Sequence, residues 1–278
     1  MKSIAKISYI ALIVFLFASC TERIELELDE SYSRLVVEGG ITNEVKSHRI
    51  KLATSSSFLG ESQDPPVTDA IVSIAIGTDT IHLQEDPEKP GEYATGPGVA
   101  GIPGEIHTLT IRLPYEINGT DLYTASCEMF QVATVDSIDV VWFEPWLVWE
   151  VQCYATDPPS VDFYMFEVLV NDTLISDVLD EKMVTNDVFY NGQYTNGIGV
   201  GWIEEEEGLL QGDTVTLRMS RITEEYAYFI WEAVGEAGYS NPLFGGPPAN
   251  VKGNISNGAM GFFSAIPVSY TSTIYKGK

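Results

Sequence analysis

The sequence predicts a mainly β protein: an N-terminal immunoglobulin-like or transthyretin-like β-sandwich, followed by a second β-rich module containing one α-helix. Three observations carry this. Apolar residues alternate with period two through much of the chain beyond residue 33; in "HTLTIRL", Leu109, Ile111 and Leu113 share one face. Clusters of Gly, Pro, Asn and Asp separate these runs, as turns separate strands of an antiparallel sandwich. One segment, "TEEYAYFIWEAVGEAG", switches to helical spacing.

The N-terminus reads as a targeting segment over 1–19. Lys2 and Lys6 form a positive start, Ile10 to Ala18 is a compact apolar run, and the small residues Ala18 and Ser19 precede Cys20. The apolar run is short for a transmembrane helix, which needs roughly 20 residues. A cysteine directly after small residues matches a bacterial lipobox, with Phe17 where leucine is customary. Cys20 is therefore expected to carry lipid and to tie the chain to a membrane; several acyl chains give firm attachment where one gives little. Residues 20–33 read as the lipidated cysteine and an acidic tether.

The sandwich is predicted over 34–131. "RLVVEGGIT" opens it. "HRIKLAT" sets Ile50 and Leu52 against Arg49 and Lys51, "AIVSIAIG" aligns Val72, Ile74 and Ile76, "TIHLQ" adds Ile81 and Leu83, and "LYTASCEMF" comes last. The second module is predicted over 132–278. It begins with "VDSIDVVWFEPWLVWEVQCYA" and continues with "VDFYMFEVLV", a turn at Asn171-Asp172, "TLISDVL" and "GDTVTLRMS". Its helix is expected near 223–235. Thr223 is the N-cap, Glu224 and Glu225 suit the positive end of the dipole, and Gly235 or Gly238 ends it. No internal repeat is evident.

Composition narrows the partners. The 278 residues carry 15 Lys and Arg against 40 Asp and Glu, a formal net charge of −25. Such a surface argues against nucleic acid, whose phosphates need clustered cations, and against electrostatic docking on an anionic membrane.

No catalytic, metal or cofactor motif emerges. His48, His82 and His107 lie far apart, and neither a zinc pattern, a nucleophile elbow nor a phosphate-binding glycine loop is present. His107 falls on the face of Leu109, so it reads as a satisfied residue at the core edge, and His82 reads as solvent-facing. Cys127 and Cys153 either pair or remain as two buried thiols; an exported chain permits both. The acidic run Glu204 to Glu207 is a solvated loop or, on a sharper reading, a site for a hard cation. Trp142, Trp146 and Trp149 crowd around Pro145. Exposed, they form a stacking platform for a ligand; buried, they are core packing. The parity of Trp142 and Trp146 differs from that of Trp149, which suggests a strand bent at Pro145 or lying at an edge.

The order of "LVVEGGIT", "HRIKLATSSSF", "DAIVSIAI", "GEYATGPGVAGIPGEIHTLTI" and "NPLFGGPPANVKGNISNGAMGFFSA" resembles the Bacteroidota lipoprotein family catalogued as domain of unknown function 4249. The resemblance covers nearly the whole chain beyond Cys20, and Asn241 to Ala265 is its most distinctive part. It implies no catalytic residue. It implies a lipid-anchored outer-membrane protein, on the cell surface or the periplasmic face, acting as a ligand-binding or accessory partner of a TonB-dependent nutrient receptor. Two other classes stay open: a surface hydrolase built on a carboxylate pair, and a structural or adhesive component. The resemblance also implies that Glu22, Glu25 and Glu27 look like a surface-export address; a plain solvated tether is the other reading.

Protease treatment of intact cells separates these two. If the acids are an address, replacing Glu22, Glu25 and Glu27 with Gln shields the chain from external protease. If they are a tether, surface cleavage is unchanged.

Overall fold

The computed structural model describes residues 33–55, 64–176, 178–238 and 251–277. Within them the chain is mainly β, with seventeen strands and one α-helix. The strand patterns of the first region become β1 (Leu35–Thr42), β2 (Arg49–Thr54), β3 (Ile71–Ile76), β4 (Asp79–His82), β5 (Gln84–Glu85), β6 (Glu92–Ala94), β7 (Ile106–Ile117) and β8 (Thr120–Glu128). β4, β3, β7 and β8 form one antiparallel sheet; β1, β2, β6 and β5 lie in the other. The inward rows predicted from alternation are the rows that meet. Ile50, Leu52, Val72, Ile74, Leu109 and Ile111 share one buried cluster between the sheets, as two facing apolar surfaces must.

The second region supplies β9 (Val135–Phe143), β10 (Val148–Ala155), β11 (Phe163–Val170), β12 (Thr173–Leu174), β13 (Met183–Asn186), β14 (Ile198–Glu204), β15 (Thr214–Ile222), α1 (Glu224–Ala237), β16 (Met260–Ile266) and β17 (Val268–Ile274). β14, β10 and β9 make a three-stranded sheet; β12, β11, β15 and β17 make another, with β13 also on β11. Val151, Tyr164, Phe166, Val168, Leu217 and Met219 fill the core between them. α1 covers the opposite face of the β11–β15 sheet, where Ala227 and Ile230 pack with Met165, Ile222 and Val268. β11 is thus buried on both faces, which explains why its burial is nearly continuous instead of alternating.

α1 follows its sequence signals closely. The Thr223 hydroxyl accepts from Tyr226 N at 3.2 Å, Glu224 and Glu225 occupy the first turn, and Gly238 N donates to Val234 O at the end.

One strand crosses between the two regions. β16 pairs in parallel with β1, from Val36 opposite Met260 to Thr42 opposite Ile266. The first sandwich therefore includes Phe263, Ala265 and Ile255 in its core, and its sheet is not confined to 34–131. Ser33–Lys278 forms one compact unit. β16 passes through Pro267 into β17, which belongs to the other region's sheet. Asn43 holds that crossing point: its side chain accepts from Val268 N at 2.8 Å and donates to Val268 O at 3.2 Å.

Glycines make the parallel contact possible. A Cβ on Gly40 would lie 2.2 Å from Ser264 O, and one on Gly261 would lie 1.9 Å from Val37 O. Gly40→Ala is expected to cost about 1–3 kcal/mol through forced separation of β1 and β16. Gly96→Ala, where a Cβ meets nothing within 4 Å, should leave the melting temperature nearly unchanged. Thermal melts of the two variants side by side check this.

Candidate functional site

Cys20, Glu22, Glu25 and Glu27 lie outside the described residues. The three tryptophans proposed as a platform lie within them, and the structure divides them. Glu144 to Leu147 is a tight turn, so "VDSIDVVWFEPWLVWEVQCYA" is a hairpin and not one bent strand. Pro145 fits the second position of the 144–147 turn, and Leu147 adopts a left-handed φ of 56°. The reversal resets the parity. Trp142 stands directly opposite Trp149, with ring centroids 5.1 Å apart and edge-on at 69°. Trp149 is buried, and its Nε1 donates to the Tyr275 hydroxyl at 2.8 Å. It belongs to the core, so a platform of Trp142, Trp146 and Trp149 does not form.

A different aromatic group forms on the outer face. Trp146, 63% exposed at the hairpin tip, meets Phe143 at 5.3 Å and Trp202 of β14 at 5.9 Å. Trp202 reaches this face because Gly201 and Ile203 on either side of it point inward. Gly201 has no room for a Cβ, which would meet Val168 Cγ2 at 2.5 Å. Trp202 was not among the residues singled out from the sequence. The exposed alternation of Trp202 and Glu204 around buried Ile203 was the available signal.

Beside Trp202 lies a pocket of about 270 Å³. Asp180, Glu181, Glu204 and Glu207 line it, together with Lys182. Lys182 Nζ is engaged with Glu167 Oε1 at 2.6 Å. Glu205 to Glu207 form an exposed 3₁₀ turn closed by Gly208 in the left-handed region. Among the described residues, no group of three or more His, Cys, Asp or Glu is placed to hold a metal ion.

A larger groove of about 670 Å³ runs between β1, β16 and α1, walled by Val36, Glu38, Tyr226, Phe229 and Phe262. Polar groups at its end are engaged within the protein. Lys46 pairs with Glu44, Arg49 with Glu92, and His48 Nε2 faces Glu44 O and Val99 O.

The histidines are structural in setting. His107 is fully buried; its Nε2 accepts from Ile102 N and its Nδ1 faces Glu105 O, each at 3.1 Å. Burial depresses the pKa of His107 and of His48. His82 is exposed. Cys127 and Cys153 are free and buried, one in each sandwich core; burial pushes their thiols up to about 11 and about 12.

The sequence reading did not find a buried acidic trio of Asp157, Asp162 and Asp187. Tyr164 donates to Asp157 Oδ1 at 3.0 Å, Gly192 N donates to Asp157 Oδ2, Asp162 N donates to Asp187 Oδ2, and Arg221 pairs with Asp162. Burial, reinforced by the neighbouring Asp157 and Asp162, pushes Asp187 up to about 6. A raised Asp187 beside Asp157 matches one half of a hydrolase's requirement. The space beside it, however, is about 20 Å³, enough for a water and not for a sugar ring. The trio instead ties the segment around 157–162 to that around 187–192.

Together these features define a β-sandwich protein whose most accessible chemistry is an aromatic and acidic surface at one hairpin tip. The model of the family described as Domain of unknown function (DUF4249) matches residues 21–272, and the chain belongs to that family. No curated protein matches the chain.

The acidic trio makes a testable contribution to stability. An acid whose folded pKa is raised contributes stability that is full below its unfolded value, here near 3.8, and lost as pH rises through about 6. Asp187→Asn should flatten that loss and raise stability at pH 7 by on the order of 1–2 kcal/mol. His48 and His107 act with opposite sign, losing stability as pH falls below 6.5, so denaturant melts of wild type and variant between pH 4 and 7 isolate the aspartate.

Proposed function

We propose that this chain is a lipid-anchored outer-membrane protein that captures a ligand, as an accessory of a TonB-dependent nutrient receptor, and that it does no covalent chemistry. The observation that carries the binding reading is the outward cluster of Phe143, Trp146 and Trp202 beside an acid-lined pocket. Exposed rings with polar groups alongside are the composition of recognition surfaces. The anchoring reading rests on the lipobox-like sequence ending at Cys20. The receptor association rests on the family resemblance described above. Among the described residues no helix is long and apolar enough to cross a membrane; attachment in this reading comes through the acylated Cys20.

Mild-detergent affinity purification from native outer membranes tests it. A TonB-dependent receptor is expected to co-purify with the wild-type chain, and Cys20→Ser should move the chain out of the membrane fraction. A clean purification without any such receptor would overturn the accessory role, and membrane retention of Cys20→Ser would overturn the lipid anchor.

A further inference from the structure

The tip offers a specific chemistry. Isolated exposed aromatics are ordinary on protein surfaces. Here Phe143, Trp146 and Trp202 touch one another in sequence, at 5.3 and 5.9 Å, with Trp146 63% and Trp202 37% exposed. Trp202 is also a wall of the 270 Å³ pocket, so the rings and the pocket are one continuous surface. The charged groups around that pocket are four carboxylates, from Asp180, Glu181, Glu204 and Glu207, and one cation, Lys182. That cation is committed to Glu167, a buried acid that also holds Arg218 at 3.0 Å. What faces a ligand is therefore a set of hydrogen-bond acceptors with negative charge, next to indole faces.

Each feature selects the same guest. Ionised carboxylates accept hydrogen bonds and donate none, so the guest must bring its own N–H or O–H donors. An anion is repelled. A neutral sugar could stack on the rings and donate its hydroxyls to the acids, but it would leave their negative charge uncompensated. Indole faces attract cations through the ring quadrupole, most strongly when water is excluded. The volume sits just below the usual range for small-molecule sites, about 300–1,000 Å³, and so suits one extended cationic group. The net charge of −25 draws such molecules toward the surface.

We infer that the surface formed by Trp146, Trp202 and the adjoining acidic pocket binds an organic cation, through an ammonium or guanidinium group laid against Trp202 and held by Glu204 and Glu207. The inference rests on the ligand-capture reading above and names the ligand class for it. The group can come from a free polyamine or from a basic side chain of a peptide.

Calorimetric titration of the full-length lipoprotein in detergent separates these sources. The probes are spermidine, the N-acetyl amide of arginine, and cellobiose as a neutral ring-stacking control. Spermidine or the arginine amide should bind, more weakly as salt is raised, and cellobiose should not. Binding of spermidine alone assigns the site to free polyamines; binding of both assigns it to the charged group in either setting. Trp202→Ala and the double variant Glu204→Gln, Glu207→Gln should each weaken binding by about tenfold. Tyr228→Ala, an exposed ring on α1, should leave it unchanged. The charge variant keeps every ring, and an unchanged melting temperature would separate its loss of binding from unfolding. Absence of binding by both cations, or binding that survives the charge variant, overturns the inference. Cellobiose binding lost in Trp202→Ala overturns it in favour of a sugar site. If the titrations are empty while a receptor still co-purifies, the ligand class falls and the accessory reading stands.

Discussion

The fold depends on the parallel pairing of β1 with β16. Strands more than two hundred residues apart in the chain must meet side by side, and their backbones approach so closely that Gly40 and Gly261 have no space for a side chain. The pairing gives one sheet of the first sandwich its fifth strand and delivers Phe263 and Ala265 into the core. It also fixes where β17 begins, because Pro267 alone separates the two strands and Asn43 clasps Val268. Contacts this distant in sequence are slow to form, since loop-closure entropy is lost before any packing is gained. The first sandwich can reach its full core only after the last part of the chain is in place.

In the second region the same logic of burial governs polar groups. Covering β11 and β15 on both faces removes the solvent side that an antiparallel sheet ordinarily keeps. Glu167 on β11 is consequently buried, and Lys182 and Arg218 close around it. Asp162 is met by Arg221, and Asp157 by Tyr164 and a backbone N–H. Buried charges persist only when paired or hydrogen-bonded. This internal pairing has an outward consequence: it occupies Lys182, and so leaves the pocket beside Trp202 dominated by carboxylates.

Much of this was legible in the sequence where the signal is local. Alternation placed Ile50, Leu52, Val72, Leu109 and Ile111 on the correct faces because a strand's side-chain period does not depend on its partners. The helix was legible for the same reason: Thr223, the two glutamates and Gly238 act within a turn or two. The tip was not. Parity counted through Pro145 assumes one continuous strand, and a hairpin turn there exchanges the faces beyond it. That count set Trp149 on the face opposite Trp142, whereas the hairpin pairs the two, and it gave no sign of Trp202, which arrives from a strand more than fifty residues later. The parallel pairing was illegible too, since nothing in "LVVEGGIT" or "MGFFSAI" records which strand lies alongside. The acidic trio assembles from three separate segments, and in a chain with 40 acids no spacing marks it.

What emerges is a scaffold that seals its own reactive-looking groups and presents a different set to solvent. The buried acidic trio, in which Asp187 has a raised pKa, adjoins a space the size of a water, while Trp146, Trp202 and the acids of the 204–207 turn face solvent. Hydroxyl-radical footprinting of the full chain, with and without spermidine, measures this most directly. The account predicts protection concentrated at Trp146, Trp202 and the 204–207 turn. Protection confined to the groove between β1 and α1, with Trp146 and Trp202 labelled equally in both conditions, would contradict it.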